Sequence, residues 1–330
     1  MSVLVLGEAE VGEHLAMGEC IAAMERALGE LARGESYMPL RLAMRGPGAS
    51  GLLGLMPAYR GGAAPVYSLK AVGVFPENPR IGLDAHQGVV VLFDGGNGLP
   101  TGILNASAVT SIRTAAVTAL ATRLLAREDA GVLAMLGSGV QAAAHLRALA
   151  FVRPLTEVRV FSLNAEHAGA LVAAASVELG GGVHCRAAAS AREAVEGADV
   201  VVTATNSQTP VLERAWLADG VHVNAIGASV PSARELDVET IAAAELFVDS
   251  RESAANEAGD YRLARSEGAI GEDHIRAELG EVVIGSHPGR SGPDAITVFR
   301  SLGLAVEDLA AAEVAVASAL RSGAGTWVEL

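Results

Sequence analysis

The sequence predicts an α/β protein with a doubly wound parallel sheet in its second half and a second, separate α/β domain. Three observations carry this. From residue 131 onward, short apolar runs alternate with amphipathic stretches, the pattern of parallel strands covered by helices on both faces. A glycine-rich turn joins the first of those runs to the helix after it. Residues 38–105 lack this alternation and instead have apolar runs separated by turn-forming segments. A chain of 330 residues is long for one core, so two domains are expected. Aromatic residues are 4 % of a chain that is 51 % hydrophobic, so the core is built from Ala, Val, Leu and Ile, which suits packed α/β layers.

The elements follow in order. Residues 2–6 read as a strand, because no basic stretch precedes them as a secretory leader requires. Over 8–33, Val11, Leu15, Ile21, Met24, Leu28 and Leu31 recur at helical spacing and stop at Gly34, which predicts one amphipathic helix. In 38–105 the runs LLGLM, VYSLKAVGVF and GVVVLF form an antiparallel sheet, with a hairpin at DGGNG. An Ala-rich helix follows over 107–127. Then come a strand at 131–136, a helix at 140–150, a strand at 157–162, a helix at 165–179, a short strand at 186–189 and a short helix at 191–196. Further strands are expected at 200–204, 221–226 and 246–248. The segment VFRSLGLAVEDLAAAEVAVASAL reads as one helix or two that pack back on the first half. The first domain is then discontinuous, residues 1–118 and 305–330, around a second domain at 119–304.

The formal charge of −14 argues against nucleic acid and against anionic membranes, both of which need clustered cations. It leaves room for an anionic small molecule held by a few placed arginines. No apolar run approaches the length of about 18 residues that a membrane span needs. Cys20 and Cys185 lie far apart in no metal-type spacing and read as two buried reduced thiols, which fits a cytoplasmic protein.

The sharpest motif is GVLAMLGSGVQAAAHL. An apolar strand runs into Gly137-Ser138-Gly139-Val140-Gln141-Ala142 and a helix starts at once, which is the Rossmann-type dinucleotide fingerprint. Gly137 permits the tight turn, Gly139 lets the backbone approach a pyrophosphate, and Ala142 allows close helix–strand packing. The helix N-terminus offers N–H groups and a positive dipole end to phosphate. The bland alternative is a tight turn with no nucleotide. The next strand ends Phe161-Ser162-Leu163-Asn164, with no carboxylate for an adenosine ribose and no arginine for a 2′-phosphate; Glu166 and His167 are displaced from the tip. NAD and NADP both remain open, with Ser162 and Asn164 as candidate contacts. Ligands on open parallel sheets bind beyond the carboxyl ends of the strands. Thr203, Thr205 and Asn206 after one strand, and Gly227 and Ser229 after another, are therefore expected on the nicotinamide side, ordinary turn chemistry being the alternative. Thr114 is assigned to the same cofactor set.

Three basic residues stand in apolar surroundings: Arg41 in YMPLRLAM, Lys70 in VYSLKAVGVF and Arg113 in VTSIRTAAVTAL. A buried charge costs several kcal/mol unless it is paired. Converging, the three would clamp a carboxylate; singly, each reads as a solvated or ion-paired residue. His86 opens the strand of DAHQGVVVLF and reads either as a satisfied core histidine or as a substrate or nicotinamide contact. No Ser-His-Asp order, no HExxH and no paired cysteines point to hydrolytic or metal chemistry.

Together the segments LLGLMPAY, SLKAVGVFPENP, AHQGVVVLFD, SIRTAAVTALAT, LGSGVQAAAHL, VNAIGASVPSARELD, VDSRESAANEAGD, AELGEVVIG and TVFRSLGLAVED resemble, in order, the ornithine cyclodeaminase/μ-crystallin family. The resemblance implies a homodimer whose first domain dimerises and holds substrate, and whose Rossmann domain holds the dinucleotide. It implies that Arg41, Lys70 and Arg113 bind the substrate carboxylate. One departure stands out. Where the cyclodeaminases resemble G-x-D-x-P, this chain reads Gly227-Ala228-Ser229-Val230-Pro231, which looks like the μ-crystallin and ketimine-reductase branch. The implied activity is NAD(P)H-dependent reduction of an α-imino acid, either a cyclic ketimine or the imine of a 2-oxo acid. The proton would come from Lys70 or from a water held by Ser229, and the reverse reaction is an amino-acid dehydrogenation. The alternatives are an ornithine cyclodeaminase, an alanine dehydrogenase, or a non-catalytic protein that holds NADP and a small ligand.

Overall fold

The computed structural model describes residues 2–330. The chain forms two compact units: one runs to Arg113 and resumes at Gly303–Leu330, the other is Thr114–Leu302. The sequence-based boundaries at 118/119 and 304/305 lie a few residues further on.

The first unit is built on a mixed sheet. Its strands are β1 (Ser2–Leu6), β2 (Ser36–Tyr37), β3 (Leu42–Met44), β4 (Leu52–Arg60), β5 (Val66–Val74), β6 (His86–Asp94), β7 (Pro100–Asn105) and β16 (Thr326–Glu329), in the order β16-β1-β7-β6-β5-β4-β2 with β3 beside β4. The pairs from β2 to β7 are antiparallel, whereas β1 runs parallel to β7. The hairpin between β6 and β7 falls at DGGNG, where the Asp94 carboxylate accepts from the Gly96 and Asn97 N–H groups. Alternation sorts the side chains by face. Met56, Ala58, Ser68, Lys70, Val72, Val90 and Leu92 are buried on the inner face, under helix α11 (Ala305–Ser322), against which α2 (Met17–Ala32) packs.

The expected helix over 8–33 is two helices, α1 (Glu8–His14) and α2. Leu15 and Ala16 leave the helical region between them, at φ −113°, ψ 72° and φ −62°, ψ 136°. The break lets α1 reach β7 while α2 lies along α11, and Leu15 is buried at the junction. Period 3.6 cannot show such a break, because both pieces keep the same apolar phase.

The second unit carries a parallel sheet: β8 (Val132–Leu136), β9 (Glu157–Phe161), β10 (His184–Ala187), β11 (Val200–Thr203), β12 (His222–Ala225), β13 (Glu245–Val248), β14 (Ile275–Glu278) and β15 (Thr297–Arg300). Their order is β10-β9-β8-β11-β12-β15-β13-β14, so the winding reverses between β8 and β11. Helices α3 (Ala106–Leu125), α4 (Val140–Ala150), α5 (Ala165–Leu179), α6 (Ala191–Val195), α7 (Val238–Ala243), α8 (Arg251–Glu257), α9 (Gly259–Ser266) and α10 (Leu279–Val283) complete the chain, α3 running across the boundary at 113/114. Apolar clusters fill the sheet on both faces. The fold is thus the α/β type expected, a doubly wound sheet with a second α/β unit.

Two readings are corrected here. The segment VFRSLG is not helical: Thr297–Arg300 is strand β15, with Val298 and Phe299 fully buried between β12 and β13, and the helix begins only at Ala305. The strand expected at 186–189 starts at His184 instead. Among the described residues no helix is long and apolar enough to cross a membrane.

Candidate active site

In the second unit, β8 delivers the chain into the glycine turn. Gly137 has φ +121°, and a Cβ there would collide with the Ala204 carbonyl oxygen. Its N–H donates to the Phe161 carbonyl at 2.8 Å, tying the turn to the tip of β9. Gly139 is the extended N-cap of α4 and has open space where a Cβ would sit. No side chain caps this helix, so its first-turn N–H groups face that space. Ala142 is fully buried, as the close packing of helix on strand requires. Val140 is exposed, and the buried Gln141 Oε1 has no partner among the described residues. An open cradle and an uncapped eleven-residue helix fit a dinucleotide pyrophosphate.

At the tip of β9, Ser162 Oγ lies 2.8 Å from Ser138 Oγ. Asn164 is the N-cap of α5: its Oδ1 accepts from the N–H groups of Glu166 (3.0 Å) and His167 (3.1 Å). Its acceptor is thus spent on the helix, and Leu163 beside it is fully exposed.

The loops after β11 and β12 are joined by a residue that sequence reasoning missed. Glu235 is completely buried. Its Oε1 accepts from the Thr205 N–H and hydroxyl, both at 2.7 Å; its Oε2 accepts from the Thr203 hydroxyl at 2.9 Å and the Gly227 N–H at 2.6 Å. Burial pushes this carboxyl above the usual carboxylate range, against the pull of those bonds and of Arg300. The Glu235 N–H donates in turn to Asp260 Oδ1 at 2.7 Å, and Arg300 Nε lies 3.2 Å from the same carboxylate. Asn206 and Ser229 are exposed, the Ser229 N–H donating to the Gly227 carbonyl. Thr114 is buried, and its carbonyl accepts from the Thr118 hydroxyl.

In the first unit the basic residues do converge. Lys70 projects from the inner face of β5 and is 4 % exposed, as is Arg113 on α3. Lys70 Nζ lies 3.2 Å from both carboxylate oxygens of Asp308. Arg113 donates from Nε to Asp308 Oδ1 at 2.9 Å and from Nη1 to Glu307 Oε2 at 2.8 Å. Arg41, half-buried just before β3, donates to the Gly303 carbonyl at 2.9 Å. Gly303 has φ +79°, and a Cβ there would strike the Arg113 guanidinium, so glycine lets the two arginines approach one stretch of backbone. Burial lowers Lys70 to about 8; Asp308 opposes the shift, and the charges of Arg113 and Arg41 add to it. Burial also pushes Cys20, on α2 near Arg113 and Glu307, up to about 12.

Glu307 and Asp308, both buried in the first turn of α11, were not foreseen as site residues. The signal for them is an acidic pair at the head of an otherwise Ala-rich apolar helix. Ser68, two residues before Lys70 on the same face, has a buried hydroxyl with no partner among the described residues. His86 is corrected: it opens β6 at an exposed end rather than filling a core. By strand alternation it shares the inner face with Lys70. Partial burial lowers its pKa, and the Lys70 charge adds to the effect. Cys185 is half-buried rather than buried.

The family model described as "Ornithine cyclodeaminase/mu-crystallin family" matches residues 1–323. The chain is 37 % identical over 313 residues to the ketimine reductase mu-crystallin of Mus musculus, covering 94 % of this chain and 95 % of that protein. Its structure is similar to that of the Δ1-pyrroline-2-carboxylate reductase of Thermococcus litoralis in complex with NADH and L-proline, with a TM-score of 0.94, 36 % identity and coverage of 98 % and 99 %. An archaeal alanine dehydrogenase dimer with bound NAD gives a TM-score of 0.94 at 34 % identity, over the whole of both chains.

Proposed function

The chain belongs to the ornithine cyclodeaminase/mu-crystallin family, and from that premise we propose that it is an NAD(P)H-dependent reductase of an α-imino acid, working in reverse as an amino-acid dehydrogenase. The observation that carries the reading is the convergence of Lys70 and Arg113 on Asp308 and Glu307, with Arg41 bonded to the carbonyl of Gly303, against which the Arg113 guanidinium lies. A substrate carboxylate is the anion that such a cluster of cations is built to take. Guanidinium and ammonium groups held this way bind a carboxylate through charge-assisted hydrogen bonds.

The dinucleotide belongs on the second unit, its pyrophosphate against Gly137, Ser138, Gly139 and the N-terminus of α4, with Val140 and Gln141 beside it. Ser162 and Asn164 lie toward the adenosine end, and Thr203, Thr205, Asn206 and Gly227 toward the nicotinamide; Thr114 completes the set. When bound, the reduced nicotinamide supplies the hydride that the imine carbon accepts. Arg41 and Arg113 hold the carboxylate and so fix the imine carbon in place, and such orientation alone is worth several kcal/mol of barrier. Protonation of the imine nitrogen makes the carbon electrophilic. Lys70, lowered to about 8, is close to the ideal poise for a proton donor at neutral pH, and His86 shares its sheet face. Ser229 stands where a cyclodeaminase-like chain would carry aspartate, which favours an uncharged imine over a diamine.

The partner we propose is a second copy of the chain. The outer face of the first unit's sheet exposes Leu53, Tyr67 and Val89, with Leu42 and Met44 on β3 beside them. An apolar face of this kind marks an interface, and an archaeal relative of similar structure is a dimer. A cytoplasmic location fits the thiol at Cys20 and a chain whose described helices are too short or polar to span a membrane.

The test is oxidation of NADH and NADPH, separately, with Δ1-pyrroline-2-carboxylate and Δ1-piperideine-2-carboxylate. Rapid oxidation supports the reading and gives the preferred cofactor and ring size. Lys70→Ala is expected to abolish turnover and leave NADH binding within about twofold; undiminished turnover in that variant defeats the assignment.

A further inference from the structure

We propose that Asp308 is a positioning residue for this reaction, holding the Lys70 ammonium beside Arg113 so that the proton reaching the imine nitrogen comes from Lys70 and not from a water at Ser229. The inference rests on the imine-reductase reading and identifies its proton donor.

The geometry carries it. Asp308 is 1 % exposed and meets Lys70 Nζ with both of its oxygens, at 3.2 Å each. The same Oδ1 takes Arg113 Nε at 2.9 Å, so one carboxylate fixes the spacing of two of the three cations. Its neighbour Glu307 takes Arg113 Nη1 at 2.8 Å. The two acids thus share the guanidinium, and Asp308 also takes the ammonium with both of its oxygens.

The other groups that face Lys70 do not replace it. Arg113 on α3 and Arg41 before β3 are cations that drive its proton off. His86 on β6 is itself depressed, by partial burial first and then by the Lys70 charge. Cys20 on α2, pushed up to about 12, is a neutral thiol. Ser68 on β5 is an uncharged hydroxyl. A lysine buried among guanidinium groups would sit as the neutral amine at neutral pH without a touching carboxylate. Asp308 therefore decides whether a donor is present at all.

The step balances. The Lys70 Nζ–H bond breaks and an N–H bond forms at the imine nitrogen, while the hydride from the reduced nicotinamide forms the new C–H bond. Lys70 is left as a neutral amine and recovers its proton from water. Asp308 stays ionised throughout: burial pushes its carboxyl up, but the charges of Arg113 and Lys70 and their hydrogen bonds outweigh that and hold it below the usual range.

The test is the pH profile of kcat/KM for NADH-dependent reduction of Δ1-pyrroline-2-carboxylate. The wild-type basic limb is expected near pH 8. In Asp308→Asn it moves to lower pH by roughly one unit or more, with kcat falling further than KM rises. Glu307→Gln raises KM and leaves the limb within a few tenths of a unit. A limb that stays in place in Asp308→Asn while only thermal stability drops overturns the proposal. Should that variant fail to fold, Lys70→Arg decides. A guanidinium keeps the charge but does not donate, so pyrrole-2-carboxylate binding to the NADH complex is expected to stay within about tenfold, while turnover falls by about 100-fold or more. Near-normal turnover in Lys70→Arg overturns the proposal. If the wild type reduces no imine, the function assignment falls by itself. The pH dependence of pyrrole-2-carboxylate binding in wild type and Asp308→Asn then still reads the hold of Asp308 on Lys70, and identical profiles overturn it.

Discussion

At the scale of single residues, Gly137 and Gly139 share one turn and answer to different constraints. The φ of +121° at Gly137, with the Ala204 carbonyl against its α-carbon, is a demand of the fold. Gly137→Ala is therefore expected to destabilise the chain by about 2–4 kcal/mol, from backbone strain and collision together, seen as a fall in the urea midpoint. Gly139 has ordinary φ and open space around it, so its glycine serves the ligand. Gly139→Ala should leave thermal stability unchanged and weaken NADH binding at least about tenfold in a fluorescence titration, because the added methyl occupies the path of the pyrophosphate. Equal losses of stability in the two variants would remove the phosphate assignment. The glycines could be read from the sequence because their spacing is local. The spent acceptor of Asn164 could not, since the sequence does not show whether an Asn after a strand caps the next helix or faces a ligand.

At the scale of elements, the loops after β11 and β12 keep their positions through Glu235. A buried carboxylate accepting four hydrogen bonds joins two strand ends that the sheet alone leaves free. Glu235→Gln keeps the shape but turns an N–H₂ group toward donors. A loss of about 2–3 kcal/mol in stability is expected, the worth of one or two bonds to a charged acceptor. Weaker dinucleotide binding should accompany it, since Thr205 and Gly227 stand at the loops assigned to the nicotinamide. A variant with normal stability and normal NADH affinity would show that the loops hold themselves. Glu235 lies within the segment VNAIGASVPSARELD, yet nothing local marks its role, because its partners lie up to 32 residues away in the chain.

At the scale of the whole molecule, two buried histidines set the acid limit. His145 bonds the Gln141 carbonyl and the Thr118 hydroxyl, and His222 bonds Thr297 and Asn224; both are fully buried. Burial lowers them to about 4 and about 3 respectively. Once unfolded, each takes up a proton below about pH 6.5, whereas in the fold each stays neutral until far lower pH. Their contribution is therefore complete above about pH 6.5 and is lost as pH falls toward 4 and then 3, by about 1.4 kcal/mol per group per pH unit. Urea midpoints at pH 7, 5.5 and 4.5 should fall accordingly, and less steeply in His145→Gln. The same scale includes assembly. Tyr67→Glu on the apolar sheet face should yield a monomer in sedimentation velocity; an unchanged sedimentation coefficient would place the dimer contact elsewhere.

What the sequence determined by itself was everything written in local periodicity and spacing. It specified the strand–helix alternation, the glycine turn and the antiparallel run over 38–105, and it singled out three cations in apolar segments as candidates for a clamp. What only the tertiary structure decided was which charges meet. Lys70 and Asp308 are 238 residues apart, Arg113 and Glu307 194, and no local pattern pairs them. Tertiary packing also turned VFRSLG into a central strand, because a slot between β12 and β13 outweighed any helical preference of six residues. It divided the first helix at Leu15 so that each half could bury its own face. Hydrophobic period is a property of neighbours along the chain, whereas charge compensation is a property of neighbours in space, and only folding brings the second kind together.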